Sequence, residues 1–141
     1  MARKHEEDDH QTALFDWLLK QYPEEYNIIF AIPNGGKRDI REAARLKRQG
    51  VKAGVPDIFV PISKIYLVEC DDNSLTPQQK IIPGLFIELK VRGRKETKLQ
   101  VQMREHLVAR GYAVAVCNGW EEAARYLKSY FDKSPYWKLP D

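Results

Sequence analysis

The chain has 141 residues, 43% of them hydrophobic and 30% charged, with a formal net charge of +3. A chain of that length buries roughly 68–70% of its unfolded surface, enough for one domain with a real core. Three Trp, seven Tyr and five Phe exclude intrinsic disorder, and two Cys exclude a disulfide-built miniprotein. No stretch approaches the roughly 18 apolar residues of a membrane span, and the charged start MARKHEEDDH lacks the apolar core of a secretory signal. An intracellular, reducing setting is expected.

The charge is unevenly spread. Glu6 to Asp9 is a run of four acids. Lys37 to Lys52 holds seven basic residues against two acidic, and Lys90 to Arg104 holds six against one. Two basic stretches and one acidic knot suggest a polyanion partner with a cation between it and the protein. Taken on charge alone, solvated helix faces explain the same pattern.

In chain order, residues 11–22 place Leu14, Phe15, Leu18, Leu19 and Tyr22 at helical spacing, and Pro23 is expected to end that helix. Ile28 to Ile32 reads as a short buried strand, followed by the turn chemistry of Pro33-Asn34-Gly35-Gly36. Residues 38–49 read as a basic helix stopped by Gly50. Val55 to Ile62 and Lys64 to Glu69 are strand-like, and 70–83 reads as a loop or hairpin excursion. Gly84 to Val91 is a further strand. A helix from about Thr97 to Arg110 carries Leu99, Met103 and Leu107 on one stripe, with Gly111 as its stop. Tyr112 to Cys117 is a strand, Trp120 to Phe131 a last helix, and 132–141 a tail. This mixture implies an α/β fold, a central sheet covered by helices, in one domain with its core at about 7–131. The strand–helix–strand from Lys90 to Tyr112 suggests a parallel crossover.

The chemistry gathers at Phe86 to Lys90. Strand side chains alternate, so Phe86, Glu88 and Lys90 share one face. Two charges there are costly on a central strand, unless the strand is an edge or the charges sit at its wet end. Asp57, after Pro56 and before Ile58-Phe59-Val60, reads alone as a turn or capping residue. Together, Asp57 and Glu88 can bring two carboxylates to neighbouring strands with Lys90 beside them. Hard oxygen ligands suit Mg2+. A lysine beside a water on such a cation can help remove its proton or offset charge building on a phosphate. That is equipment for hydrolysing a phosphodiester.

These residues also carry a resemblance. Ile32-Pro33-Asn34-Gly35-Gly36, Ala43-Ala44-Arg45-Leu46-Lys47, Gly50-Val51-Lys52-Ala53-Gly54-Val55-Pro56-Asp57, Gly84-Leu85-Phe86-Ile87-Glu88-Leu89-Lys90, Gln100 and Gly111-Tyr112-Ala113-Val114 follow in order. From about Glu7 to Tyr130 the chain resembles the virus-type replication-repair nuclease (VRR-NUC) domain, a branch of the PD-(D/E)XK nuclease superfamily. The resemblance implies a restriction-endonuclease-like core with a mixed sheet. It implies that Asp57, Glu88 and the Leu89 carbonyl ligate Mg2+ or Mn2+, that Lys90 is the catalytic lysine, and that Gln100 hydrogen-bonds a ligand or water. Glu7, at i−4 from Gln11, fits the acid of the first helix, crowded by Glu6, Asp8 and Asp9; read without the family, these acids complement a helix dipole. Asn34, Gly35 and Gly36 match a phosphate-approaching turn, and Lys37, Arg38, Arg41 and Arg45 would continue a phosphate track.

The activity so implied is metal-dependent cleavage of DNA, preferentially branched DNA in the manner of a Holliday-junction resolvase, by a homodimer of phage or prophage origin. Alternatives are a catalytically silent DNA-binding module, a sequence-directed endonuclease of the same superfamily, and a metal-binding or RNA-processing protein. The 63–83 stretch is longer than compact members need and adds decoy acids at Glu69, Asp71 and Asp72. His5, His10 and His106 have no zinc-like spacing with the cysteines. Cys117 reads as a core thiol. Trp17, Trp120 and Trp137 read as packing aromatics.

Overall fold

Leu14 and Leu18, one turn apart on the first helix, are fully buried and mark where the core lies. The structure, a computed structural model, describes residues 2–33, 39–68 and 76–133, with side chains from His5 onward. Helix α1 runs Ala2–Gln21, starting nine residues before the expected segment 11–22. Its first turns are polar and give no hydrophobic periodicity, so the stripe alone placed the start too late. As expected, α1 stops just before Pro23, at Gln21, and Pro23 then opens a short helix α2 (Pro23–Tyr26), a position where a missing N–H costs nothing.

Among the described residues there are six strands, the five expected and one more, β4: β1 (Phe30–Ala31), β2 (Ile58–Val60), β3 (Lys64–Val68), β4 (Gln78–Ile82), β5 (Leu85–Lys90) and β6 (Ala113–Asn118). The main sheet has the order β1-β2-β5-β6, antiparallel except for the parallel β5–β6 pair. That pair confirms the expected crossover. The expected buried strand at Ile28 to Ile32 shrinks to two exposed edge residues, although Ile29 beside them is buried. Strands β3 and β4 pair antiparallel in a separate sheet, so of the two readings of the 70–83 excursion the hairpin is the one found. Tyr66 and Ile82 seat that hairpin in the core. Its base is tied to the C-terminal end of helix α5 (Trp120–Phe131). There the Lys64 Nζ donates to the Asp132 carbonyl at 2.7 Å and the Tyr130 hydroxyl donates to the Ile62 carbonyl at 2.5 Å.

Ile58, Val60, Leu85, Ile87 and Leu89 point to α1 and α5, which cover one face of the sheet. Helix α4 (Lys98–Ala109) lies along the β5–β6 crossover and packs on β6. Of its expected stripe, Met103 and Leu107 are half-buried and Leu99 is exposed. Helix α3 (Ile40–Arg48), capped by the Asp39 carboxylate accepting from the Glu42 amide, buries no residue. Cys117 is buried as expected, and burial pushes its thiol up to about 12. Trp17 and Trp120 pack against the core, while Trp137 lies outside the described residues. Among the described residues no helix is long and apolar enough to cross a membrane.

Gly54 couples the segment before β2 to α4. Its φ is +87°, and a Cβ there would stand 2.5 Å from the Leu99 carbonyl oxygen. Gly50, with φ +100°, faces open space. Gly50→Ala should therefore cost only the ~1–2 kcal/mol of a left-handed L-residue. Gly54→Ala should cost clearly more, because backbone must also move. Urea denaturation of both variants checks the ordering, and equal losses would contradict it.

Candidate active site

Strand β5 is central, between β2 and β6, and both of its charged side chains are buried: Glu88 is 5% and Lys90 8% exposed. The edge-strand and wet-end explanations for these charges therefore fail. Burying them demands partners. The Lys90 Nζ lies 3.5 Å from Glu88 Oε1, and Gln100 completes the set. Gln100 Nε2 donates to Glu88 Oε1 at 2.8 Å, and Gln100 Oε1 accepts from Lys90 Nζ at 2.8 Å.

The Gln100 amide is fixed by the start of α4. Thr97 is the N-cap: its hydroxyl accepts from the Gln100 amide N–H at 3.2 Å, and Gln100 Oε1 accepts from the Thr97 N–H at 2.8 Å. This capping box satisfies two orphan donors of the helix. The same side chain thus caps a helix and holds the strand's two charges in place. The family resemblance implied only a hydrogen bond from Gln100 to a metal ligand or water. The Thr-x-x-Gln spacing that signals the cap was present and unread.

Asp57 comes to the site from the residue before β2. In the β2–β5 register Ile58 faces Ile87, so Asp57 stands one step on, opposite Glu88. The Ile32 N–H donates to the Asp57 carbonyl at 2.7 Å, and Asp57 Oδ2 accepts from the Leu89 N–H at 2.8 Å. Asp57 is therefore no mere turn residue. Burial, and then the Glu7 charge, push its carboxyl above the usual range against the pull of the Leu89 amide and Lys90. Burial, and then the Asp57 charge, push Glu88 up to about 8. Two acids facing one lysine are under-compensated, and a hard dication between them would relieve both burial and repulsion. The donor set fits Mg2+ or Mn2+.

The acidic start of α1 approaches from the other side. Glu6 pairs with Arg92 at 2.8 Å, and Glu7 Oε1 stands 3.8 Å from Arg94 Nη1. The charge of Glu7 reaches both Asp57 and Glu88, yet among the described residues no three His, Cys, Asp or Glu side chains converge as a ready metal cage. Asp8 instead lines a shallow groove with Gln11 and Phe15. His10 caps α5, its Nδ1 accepting from the Trp120 N–H at 3.0 Å. On α3, Arg41 and Arg45 are exposed and line an open groove that continues to Arg48, a third arginine the sequence reading did not single out. Asn34, Gly35, Gly36, Lys37 and Arg38 lie outside the described residues.

No protein-family model and no curated protein sequence matches the chain. Among solved structures, the fold is similar to that of a VRR_NUC domain protein, with a TM-score of 0.69 and 26% identity over 95% of this chain and 97% of the other. The mixed four-stranded sheet flanked by helices is the restriction-endonuclease-like architecture expected.

The raised carboxyls fix the sign of a pH effect. A group that binds its proton more tightly folded than unfolded favours folding at low pH, and that contribution is lost as pH rises through the folded value. The metal-free protein should lose several degrees of melting temperature between about pH 4.5 and pH 8, the ordinary and shifted values of Glu88. Mn2+ should restore the loss, and Glu88→Gln should flatten the slope. Thermal melts across pH, with chelator and with Mn2+, check this; a metal-free protein that grows more stable over that range would contradict it.

Proposed function

We propose, from its likeness to a VRR_NUC domain protein over 95% of the chain, that the chain is a nuclease domain of that family and a divalent-metal-dependent DNA endonuclease. The observation that carries the reading is a row of one half-buried acid, Asp57, fixed by the Leu89 N–H, beside the buried Glu88 and Lys90, both held by Gln100. Asp57 and Glu88 would hold Mg2+ or Mn2+, with the Leu89 carbonyl and Glu7 as further oxygen donors. The cation supplies Lewis-acid chemistry: it makes a water more acidic and draws charge from the phosphate.

The protein's own groups do the rest. Lys90 stands beside Glu88, where it takes part in moving the water's proton and offsets negative charge as the phosphorus is attacked. Gln100 keeps the ammonium and the carboxylate in one orientation, so little reorganisation is needed during reaction. Arg41 and Arg45, with Asn34, Gly35, Gly36, Lys37 and Arg38 before them, would track the DNA backbone outside the site. The substrate we infer is branched DNA, cut by a homodimer whose paired sites place two nicks symmetrically.

Asp57→Asn and Lys90→Ala should each lower cleavage of a labelled four-way junction by about 10²–10³-fold or more while circular dichroism shows the fold intact. Full activity in either variant would overturn the assignment. Chelation should abolish cutting by the native protein. A matched linear duplex should be cut more slowly than the junction, and equal rates would remove the branched-substrate part. Sedimentation should show a dimer at working concentration, and monomers both free and on junction DNA would defeat the paired-site part.

A further inference from the structure

The turn between β5 and α4 brings two arginines against two acids of α1, and the two pairs differ in kind. Arg92 is committed. It adopts left-handed backbone, φ 53°, and its Nε donates to Glu6 Oε1 at 3.1 Å and lies 2.8 Å from Glu6 Oε2. The Arg94–Glu7 contact is looser, 3.8 Å between Nη1 and Oε1, with side chains 50% and 37% exposed. An exposed pair of that length contributes little.

The backbone under Arg94 is nonetheless fixed. The Gly93 N–H donates to Asn118 Oδ1 at 3.2 Å, and the Arg94 N–H donates to the Val91 carbonyl at 3.1 Å. A rigid turn therefore presents a loosely held guanidinium. Two neighbouring cations are engaged, while Lys95 of the same turn and Lys98 at the start of α4 are exposed. Lys90 is bonded to Gln100, and Arg104 holds Glu96 through both carboxylate oxygens at 2.9 and 3.2 Å. The partner of Arg94 is also the acid whose charge reaches both Asp57 and Glu88.

From this juxtaposition we propose that Glu7 and Arg94 form an exchange pair: when Glu7 turns to the cation held by Asp57 and Glu88, Arg94 is released to bind a phosphate of the DNA strand at the site. Arg94 is thereby a substrate-binding residue, suited by its planar fork to two phosphate oxygens. The exchange rests on the nuclease reading for its substrate. It makes charge sense in both states. Without cation, Arg94 offsets an excess of acids; with cation, the acids are neutralised and the arginine faces an anion.

The exchange predicts effects of opposite sign from one substitution. Arg94→Ala frees Glu7, so Mn2+ alone, titrated calorimetrically into DNA-free protein, should bind about two- to five-fold more tightly. The same variant should bind labelled junction DNA more weakly, with Ca2+ in place of Mn2+ so that binding is read without cutting. The slope of log affinity against log salt should fall by about 1, one phosphate contact. Arg94→Lys should restore the salt slope and return Mn2+ affinity toward the native value. Glu7→Gln should weaken Mn2+ binding. Unchanged or weaker Mn2+ binding in Arg94→Ala, or an unchanged salt slope, would overturn the exchange. Native protein that binds Mn2+ and DNA but cuts nothing would instead contradict the nuclease reading, and the two titrations judge the exchange separately.

Discussion

A carboxylate and an ammonium on a central strand, 5% and 8% exposed, impose a requirement that the surrounding structure meets. Neither charge can be left without a partner at that depth, because an unpaired buried charge is strongly destabilising. One amide answers for both. Gln100 donates to Glu88, accepts from Lys90 and closes the cap of α4. The start of α4 is in turn held against the Gly54 backbone, so close that no side chain fits between them. The segment leading into β2, strand β5 and helix α4 are thus mutually fixed around one small group of polar atoms.

That arrangement leaves an imbalance. Asp57 faces Glu88 across the strands, and only Lys90 stands against the two acids within the row. Both carboxyls are driven toward their neutral forms in the absence of further positive charge. A fold selected for stability alone gains little from such a pair, whereas one built to hold a dication and present it to a phosphate requires it. Helices α1 and α5 cover one face of the sheet, and the acidic start of α1 meets the β5–α4 turn, where Glu6 pairs with Arg92 and Glu7 stands near Arg94.

Much of this was legible in the residues. Strand β5, helix α4, strand β6 and helix α5 lie where periodicity and the Gly111 stop put them, since strong apolar patterns and clear end signals coincide there. The charged pair on one face of β5 was readable from alternation alone. The parts that were not legible depend on contacts distant in sequence. The first turns of α1 carry no apolar stripe, and what holds Glu6 is Arg92, 86 positions away. Nothing local says that β3 and β4 leave the main sheet, or that Lys64 at the hairpin base donates to the end of α5.

The central claim is that the Asp57–Glu88 row is a divalent-cation site. A crystal of the protein grown with Mn2+, with anomalous diffraction collected at the manganese edge, tests it most directly. The account predicts a strong anomalous peak between the Asp57 and Glu88 carboxylates, lost in Asp57→Asn crystals. A fully occupied manganese bound elsewhere, with these two carboxylates left hydrogen-bonded only to protein, would contradict it.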